Sequence, residues 1–449
     1  MIYLRVPRTQ VQTQTSEWFA SPLGVATAVG NAGDPWDLQT ALNGGYPANT
    51  VQPGDTIWLR GGTYAGQFTS SLEGTLDSPI LVKQYGYGTG AREQVTLDGY
   101  NAGNYLPALT FFDSYASYYG LETICSNITR TTAVAGSVPP NGCNNGIALD
   151  ATANNLKIIN FTVHDTAQGP FFTRAATNIE IYGLLAYFNG WDGPDRGHGH
   201  ALYIQNTSAG GKFFRNAICH NSFDMGVQEW GSDPISNITV DGATIFDSGR
   251  ISSFGTQANW SPGAGGAGGG SNYLFNDGVS YSSTDIYDNL TYTATMTNWT
   301  QTNGYWMNLQ SFTAANLGAP IVSDGNTFLY DAGQSAYGTN TYLGARPGSG
   351  KHIIVRPNTY ETGRGNITVF NWDHSSTVSV DVSGVGLQNG DSYEVRHSMD
   401  PFGAAVLSDT YGGVNITIPM TGLPIATPIN VAAPAGPFPE FAAFTIWKV

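Results

Sequence analysis

The sequence predicts an all-β protein: a parallel β-helix over residues 24–345, preceded by an N-terminal extension over 1–23 and followed by an antiparallel β-sandwich over 346–449. Three observations carry that prediction. Glycine, at 57 of 449 residues, is about twice its usual share and only 11% of residues are charged, a composition of tight turns and short strands. Short apolar runs recur at coil-sized intervals through the middle of the chain. Beyond Arg346 the runs lengthen into alternating strands spaced by Gly, Asp and Pro.

In chain order, Asp34 to Gly44 reads as a short helix, with Asp34 as N-cap, Pro35 at the first helical position and a closing Gly44. Trp36, Leu38 and Leu42 are its apolar residues. Three β-rich stretches follow, Pro53–Tyr64, Pro79–Lys83 and Val95–Gly99, divided by Gly and Asp turns. This opening, with its "PGDTIWLRGGTY", "SPILVK" and "VTLDG", resembles that of right-handed parallel β-helix proteins of the pectate-lyase-like superfamily. The resemblance extends over roughly 24–345, and it implies that the helix plugs the open end of the solenoid, a need of any such stack.

Internal repetition supports the same fold. Leu156, Ile179, Lys212 and Ile238 head equivalent segments at steps of 23, 33 and 26 residues. A second series, Ile147, Phe171, Leu202 and Val227, rises in parallel at steps of 24, 31 and 25. Both series enlarge the same coil. The extra residues are most simply placed in the loop from Gly190 to Gly199, and a second insertion, Gly263 to Gly270, precedes the coil near Gly278. Strand alternation turns Leu202 and Ile204 inward and Tyr203 and Gln205 outward. Phe172 and Gln228 are then expected beside Tyr203, with Arg174 and Trp230 beside Gln205.

The C-terminal strands, among them His352–Arg356, Asn366–Trp372, Val378–Val382, Ser392–Arg396, Val414–Ile418 and Phe441–Trp447, read as a sandwich. The string from Val369 to Val395 resembles small sandwich domains that follow catalytic domains in carbohydrate-active proteins.

Chemistry concentrates between Trp191 and Asn206. Asp192, Asp195, Arg196, His198, His200 and Tyr203 fall in one loop and the strand after it, with Trp191, Arg174, Gln205, Gln228 and Trp230 as candidate substrate-binding neighbours. A β-helix groove suits an extended polysaccharide: aromatic faces accept sugar rings, and Arg and Gln bond hydroxyls or carboxylates. Two reactions fit. In β-elimination from a uronate, His200 or Tyr203 takes the proton beside the carboxylate. Arg196, Arg174 or a Ca²⁺ held by Asp192 and Asp195 neutralises that carboxylate. In glycoside hydrolysis, Asp192 or Asp195 from the loop pairs with Glu229 or Asp224. His198 and His200 at i, i+2 have no evident third metal ligand. The adjacent Asp pairs of polygalacturonase-type enzymes are absent, which argues against that chemistry. "HGHALYIQN" and "CHNSFDMGVQEWG" resemble a pair of coils in other β-helix proteins. His164 and His220 occupy equivalent repeat positions and read as structural turn residues.

Composition narrows the partners. A net charge of −15 and a pI near 4.7 disfavour nucleic acid and anionic membrane surfaces. No apolar run is long enough to span a bilayer and no signal peptide stands at Met1, as expected if the numbering begins after processing or inside a longer expressed sequence; an extracellular or cell-surface location is expected. Nine Asn-x-Ser/Thr sequons are compatible with secretion. Cys125 and Cys143 are candidates to pair across a loop, and Cys219 reads as a small core hydrophobe. The expected function is cleavage of a polysaccharide, elimination ahead of hydrolysis. The alternative is a non-catalytic structural, adhesion or filament-forming β-helix that self-assembles.

Overall fold

The computed structural model describes residues 15–100, 105–136, 139–140, 144–229, 236–255, 257, 259–262, 273–281, 288–289, 299–306, 309–310, 321–324, 326–329, 339–343 and 345–449. Up to Leu343 the chain winds as a parallel β-helix whose coils feed three sheets. Sheet one runs from Glu17–Ala20 to Ile321–Asp324 and sheet two from Gly62–Ala65 to Thr341–Leu343, each with eleven strands. Sheet three has seven, from Phe68–Ser70 to Trp260–Pro262.

The register within sheet one is the one the repeats predict: Leu156, Ile179, Lys212 and Ile238 lie side by side. Alternation sends one column of side chains inward. Ile57, Val82, Tyr118, Ile158, Ile181, Phe214 and Val240 stack coil on coil and are buried. Each such side chain contributes about 1.5–3 kcal/mol by leaving water. The sharp corner between sheets one and two is equally regular. Asn160, Gly183, Asn216, Gly242, Asp277 and Asn303 occupy it in successive coils, all with φ between 49° and 70°. Asn, Asp and Gly tolerate that left-handed geometry best, so they recur there.

In sheet three the second repeat series needs a correction. Leu202 does pair with Val227, but Phe171 pairs with Ala148 and Tyr203, one position from the expected partners Ile147 and Leu202. Two consecutive phenylalanines hide the alternation; the structure buries Phe172 and turns Phe171 outward.

The capping helix is shorter than expected, spanning Leu38–Leu42, with Asp37 rather than Asp34 as N-cap. The backbone of Trp36 is drawn into bonds with the first strand, from Trp36 N to Phe19 O and from Ser21 N to Trp36 O. The fully buried Trp36 ring stacks on Trp18 at 5.0 Å and closes the end of the core.

From Lys351 onward a five-stranded antiparallel sheet faces a two-stranded one, Thr377–Val380 with Ile416–Pro419, over a core that includes Val369, Val380, Val395, Ile418 and Phe444. This sandwich docks on sheet two. A column of rings on that sheet, His164, Tyr187, His220, Phe246 and Tyr281, is in register through successive coils. Phe441 lies flat on Tyr281 at 4.2 Å, and His220 Nε2 donates to Ser398 O at 3.0 Å. His164 and His220 are thus strand residues rather than turn residues, and their role is structural. Gly263 to Gly270 and Cys143 lie outside the described residues, and Cys125 is buried.

His164 sits between two carboxylates, 2.7 Å from Glu122 and 2.7 Å from Asp165, and Asp165 also pairs with the buried Arg130. Arg130 and Asp165 in turn bond the backbone of Ile429 in the C-terminal domain. Burial alone would lower the His164 pKa from 6.5, but the two carboxylates raise it to about 9. Because the folded value is the higher one, this stabilisation is complete below pH 6.5 and is lost as pH rises through about 9. The shift corresponds to something on the order of 3 kcal/mol. A His164→Gln variant is therefore expected to show its largest loss of denaturant stability near pH 6 and a much smaller one above pH 9. An equal loss at both would contradict the charged triad.

Candidate functional site

The enlarged coil carries a small antiparallel hairpin, Trp191–Asp192 paired with Gly197–His198, where the extra residues were expected. It stands beside the entry to the sheet-three strand Leu202–Ile204. Trp191 is buried, and its ring stacks on His198 at 5.0 Å and 10°. His198 Nε2 lies 3.1 Å from Asp195 Oδ1, a bond that holds the exposed Asp195 carboxyl below its ordinary pKa. The half-exposed Arg196 guanidinium lies between Asp195, at 3.8 Å, and Asp224, at 3.3 Å. Asp224 is buried, and burial pushes its pKa up to about 6 despite the nearby Arg196.

Asp192 does not join this group. Its carboxylate is buried and accepts hydrogen bonds from Ser252 Oγ at 2.6 Å and Ser253 N at 2.8 Å, tying the hairpin to a loop two coils further on. That arrangement does not fit the Ca²⁺ site considered from the sequence, because the two aspartates are engaged by different partners. Among the described residues no group of three or more His, Cys, Asp or Glu is placed to hold a metal.

The outward strip of sheet three places Phe171, Tyr203 and Gln228 side by side. Phe171, not the expected Phe172, is the neighbour, with its ring 5.2 Å from that of Tyr203. A chain of side chains flanks the strip: Arg174 Nε donates to Gln205 Oε1 at 3.2 Å, and Gln205 Nε2 donates to the Tyr203 hydroxyl at 3.1 Å. Trp230 lies outside the described residues. Glu229 is buried beside Ile204, the inward placement that strict alternation implies.

His200 adjoins Tyr203 edge to face at 5.6 Å. Burial, reinforced by Arg196, lowers its pKa from 6.5 to about 3, so the ring is neutral at ordinary pH. One ring nitrogen bonds the Met225 backbone, while Nδ1 is buried without a partner. An unpartnered acceptor costs about 1–3 kcal/mol, and such costs are retained where a group has a task.

Lys212 escaped notice in the sequence. It occupies an inward place in the row of Leu156, Ile179 and Ile238 and is buried, and its Nζ donates to the carbonyls of Thr173, Arg174 and Gln205. Burial draws its pKa down to about 7. The lysine clamps the two turns that carry Arg174 and Gln205. The signal was present in the repeat register, as a cation in a row of Leu and Ile.

A cavity of about 700 Å³ lies elsewhere, between sheet two and the sandwich, lined in part by Arg92, Glu122, Arg364, Arg396 and Trp447. Its charges are mutually compensated: Arg92 and Arg364 pair with Glu361, Arg396 with Glu394. It is a polar seam between domains. The chemistry-bearing side chains converge instead at the hairpin and the adjoining strip.

No protein-family model matches the chain. No curated protein matches it either. Solved structures do. A rhamnogalacturonan lyase aligns at 11% identity and a TM-score of 0.53, over 73% of this chain and 87% of that one. Pectate lyase Pel9A aligns at 15% identity and 0.49, over 74% and 79%, and an alginate lyase from Paenibacillus sp. at 16% and 0.46, over 74% and 96%. At such identities the likeness is one of fold: this chain is built on a parallel β-helix, with an antiparallel domain at its C-terminal end.

Proposed function

We propose that the protein is an extracellular enzyme that binds a uronate-containing polysaccharide along the outward strip of sheet three and cleaves it by β-elimination. The observation that carries this reading is His200: a neutral imidazole with an unpartnered nitrogen, beside a tyrosine whose ring adjoins Phe171 and whose hydroxyl is linked through Gln205 to Arg174. In the reaction, His200, its buried Nδ1 uncovered by a side-chain movement as substrate binds, accepts the proton from the carbon next to the uronate carboxylate. The carbon–oxygen bond to the leaving sugar breaks, and a carbon–carbon double bond forms. Tyr203 donates a proton to the departing oxygen; its pKa is raised by burial, which keeps it protonated. Arg174 and Arg196 supply positive charge for substrate carboxylates, and that charge makes the carbon acid removable. Phe171 and Gln228 support the sugar rings. The structural likeness to lyases fits this reading at the level of fold.

One observation favours hydrolysis as a second reading. Asp224 remains protonated up to about pH 6, as a general acid for glycoside cleavage requires, and Asp195 lies on the other side of Arg196.

Incubation with a panel of polyuronates is expected to yield absorbance from unsaturated chain ends. His200→Ala and Tyr203→Phe are each expected to cut kcat/KM by about 10²–10⁴-fold, the range for loss of a proton-transferring group, with the fold intact by circular dichroism. Full activity in both variants would remove the proposed site. New reducing ends without unsaturation would favour the Asp224 reading, and no product from any polymer would favour a structural protein. Because His200 stays unprotonated down to about pH 3, the wild-type protein is expected to keep its activity well below pH 6.5. An acid limb centred on 6.5 would contradict the assignment of His200.

A further inference from the structure

Far along the solenoid from the hairpin, the outward face of sheet one carries a second, differently built surface. Phe19, Trp58, Lys83 and Tyr119 are direct neighbours on four successive strands and all are partly exposed. At coil spacings of about 4.8 Å they form a row of about 14 Å. Tyr85, itself 38% exposed, widens the row, with its ring 6.1 Å from Phe19 and 6.0 Å from Trp58. Arg60 lies over Tyr85 at 4.7 Å.

The lysine makes this row more than an aromatic ladder. Its ammonium lies 4.9 Å from the Tyr119 ring centre and 5.9 Å from that of Trp58. Burial lowers its pKa, and no charged group contributes to the shift. Other cations on this face are compensated: Arg60 by Glu93, Lys157 and Arg215 by Glu180. Among the described residues Lys83 is thus an ammonium without a paired counter-charge, on a flat aromatic shelf, in a chain whose net charge is −15.

We infer that this row is a second polysaccharide-binding surface that holds acidic sugar chains, their ring faces on Trp58 and Tyr85 and a carboxylate on Lys83. It would keep a polymer on the solenoid while another part of it enters the cleavage groove. The choice of acidic glycan rests on the function proposed above; the surface itself does not. Nucleic acid fits less well, because its backbone calls for several uncompensated cations.

The test is affinity electrophoresis of the full chain through gels containing polygalacturonate, alginate or a neutral glucan, in the His200→Ala background so that the matrix is not cut. Retardation in the acidic gels is expected, with about tenfold weaker binding, worth about 1.4 kcal/mol, for both Trp58→Ala and Lys83→Gln. Cleavage of short soluble oligosaccharides by the same two variants with His200 intact is expected to be unchanged. If neither variant alters retardation, the surface is not a binding site. If Trp58→Ala weakens binding but Lys83→Gln does not, and the neutral glucan retards equally, the acidic assignment falls. Stronger retardation by single-stranded nucleic acid would overturn it as well. These outcomes are read from binding and remain informative if no polymer is cleaved.

Discussion

The structure depends on one constraint: each coil must present its backbone hydrogen-bonding groups in register with the coil before it. A parallel ladder shifted by one residue would turn every inward side chain outward. The apolar column of sheet one and the left-handed corner of Asn, Asp and Gly enforce the same register by different means, burial on one side and backbone geometry on the other. Between these fixed points the chain is free to lengthen. The hairpin of Trp191 to His198 grows out of such a place without disturbing the ladder on either side.

That freedom explains how a regular scaffold carries an irregular site. Lys212 replaces an aliphatic residue in the core and is paid in hydrogen bonds to three carbonyls, which pin the turns below Arg174 and Gln205. Asp192 holds the hairpin to a loop two coils away through Ser252 and Ser253. His200 is buried, neutral and incompletely bonded. Each of these costs stability locally, and the surrounding coils supply the rigidity that keeps it in place. The sandwich contributes from the far side, covering the ring column of sheet two that would otherwise be exposed aromatic surface.

Much of this was legible in the sequence. The sheet-one register and the location of the enlarged coil followed from the spacing of Leu156, Ile179, Lys212 and Ile238, since coil length is a property of the chain itself. Errors arose where local pattern is ambiguous. Phe171 and Phe172 are equally apolar, so only packing decides which is inside. Asp34-Pro35 carries a helix-start signal, but a strand captured the backbone of Trp36 first. The division of the loop carboxylates, Asp192 buried and Asp195 exposed, depends on Ser252 and Ser253, sixty residues away, and no local reading reaches that far. Likewise, the Ser398 carbonyl that holds His220 lies in a different domain.

The strip of sheet three beside the hairpin is proposed to perform elimination on an acidic glycan. Cleavage of a polyuronate in ¹⁸O-labelled water, followed by mass spectrometry of the products, tests it most directly. Elimination transfers no water oxygen to the products, so fragments bearing one unsaturated end, with no more ¹⁸O than a reducing sugar acquires by exchange in the same time, are predicted. Saturated fragments that carry ¹⁸O in excess of that exchange would show that water performs the cleavage, and would contradict the account.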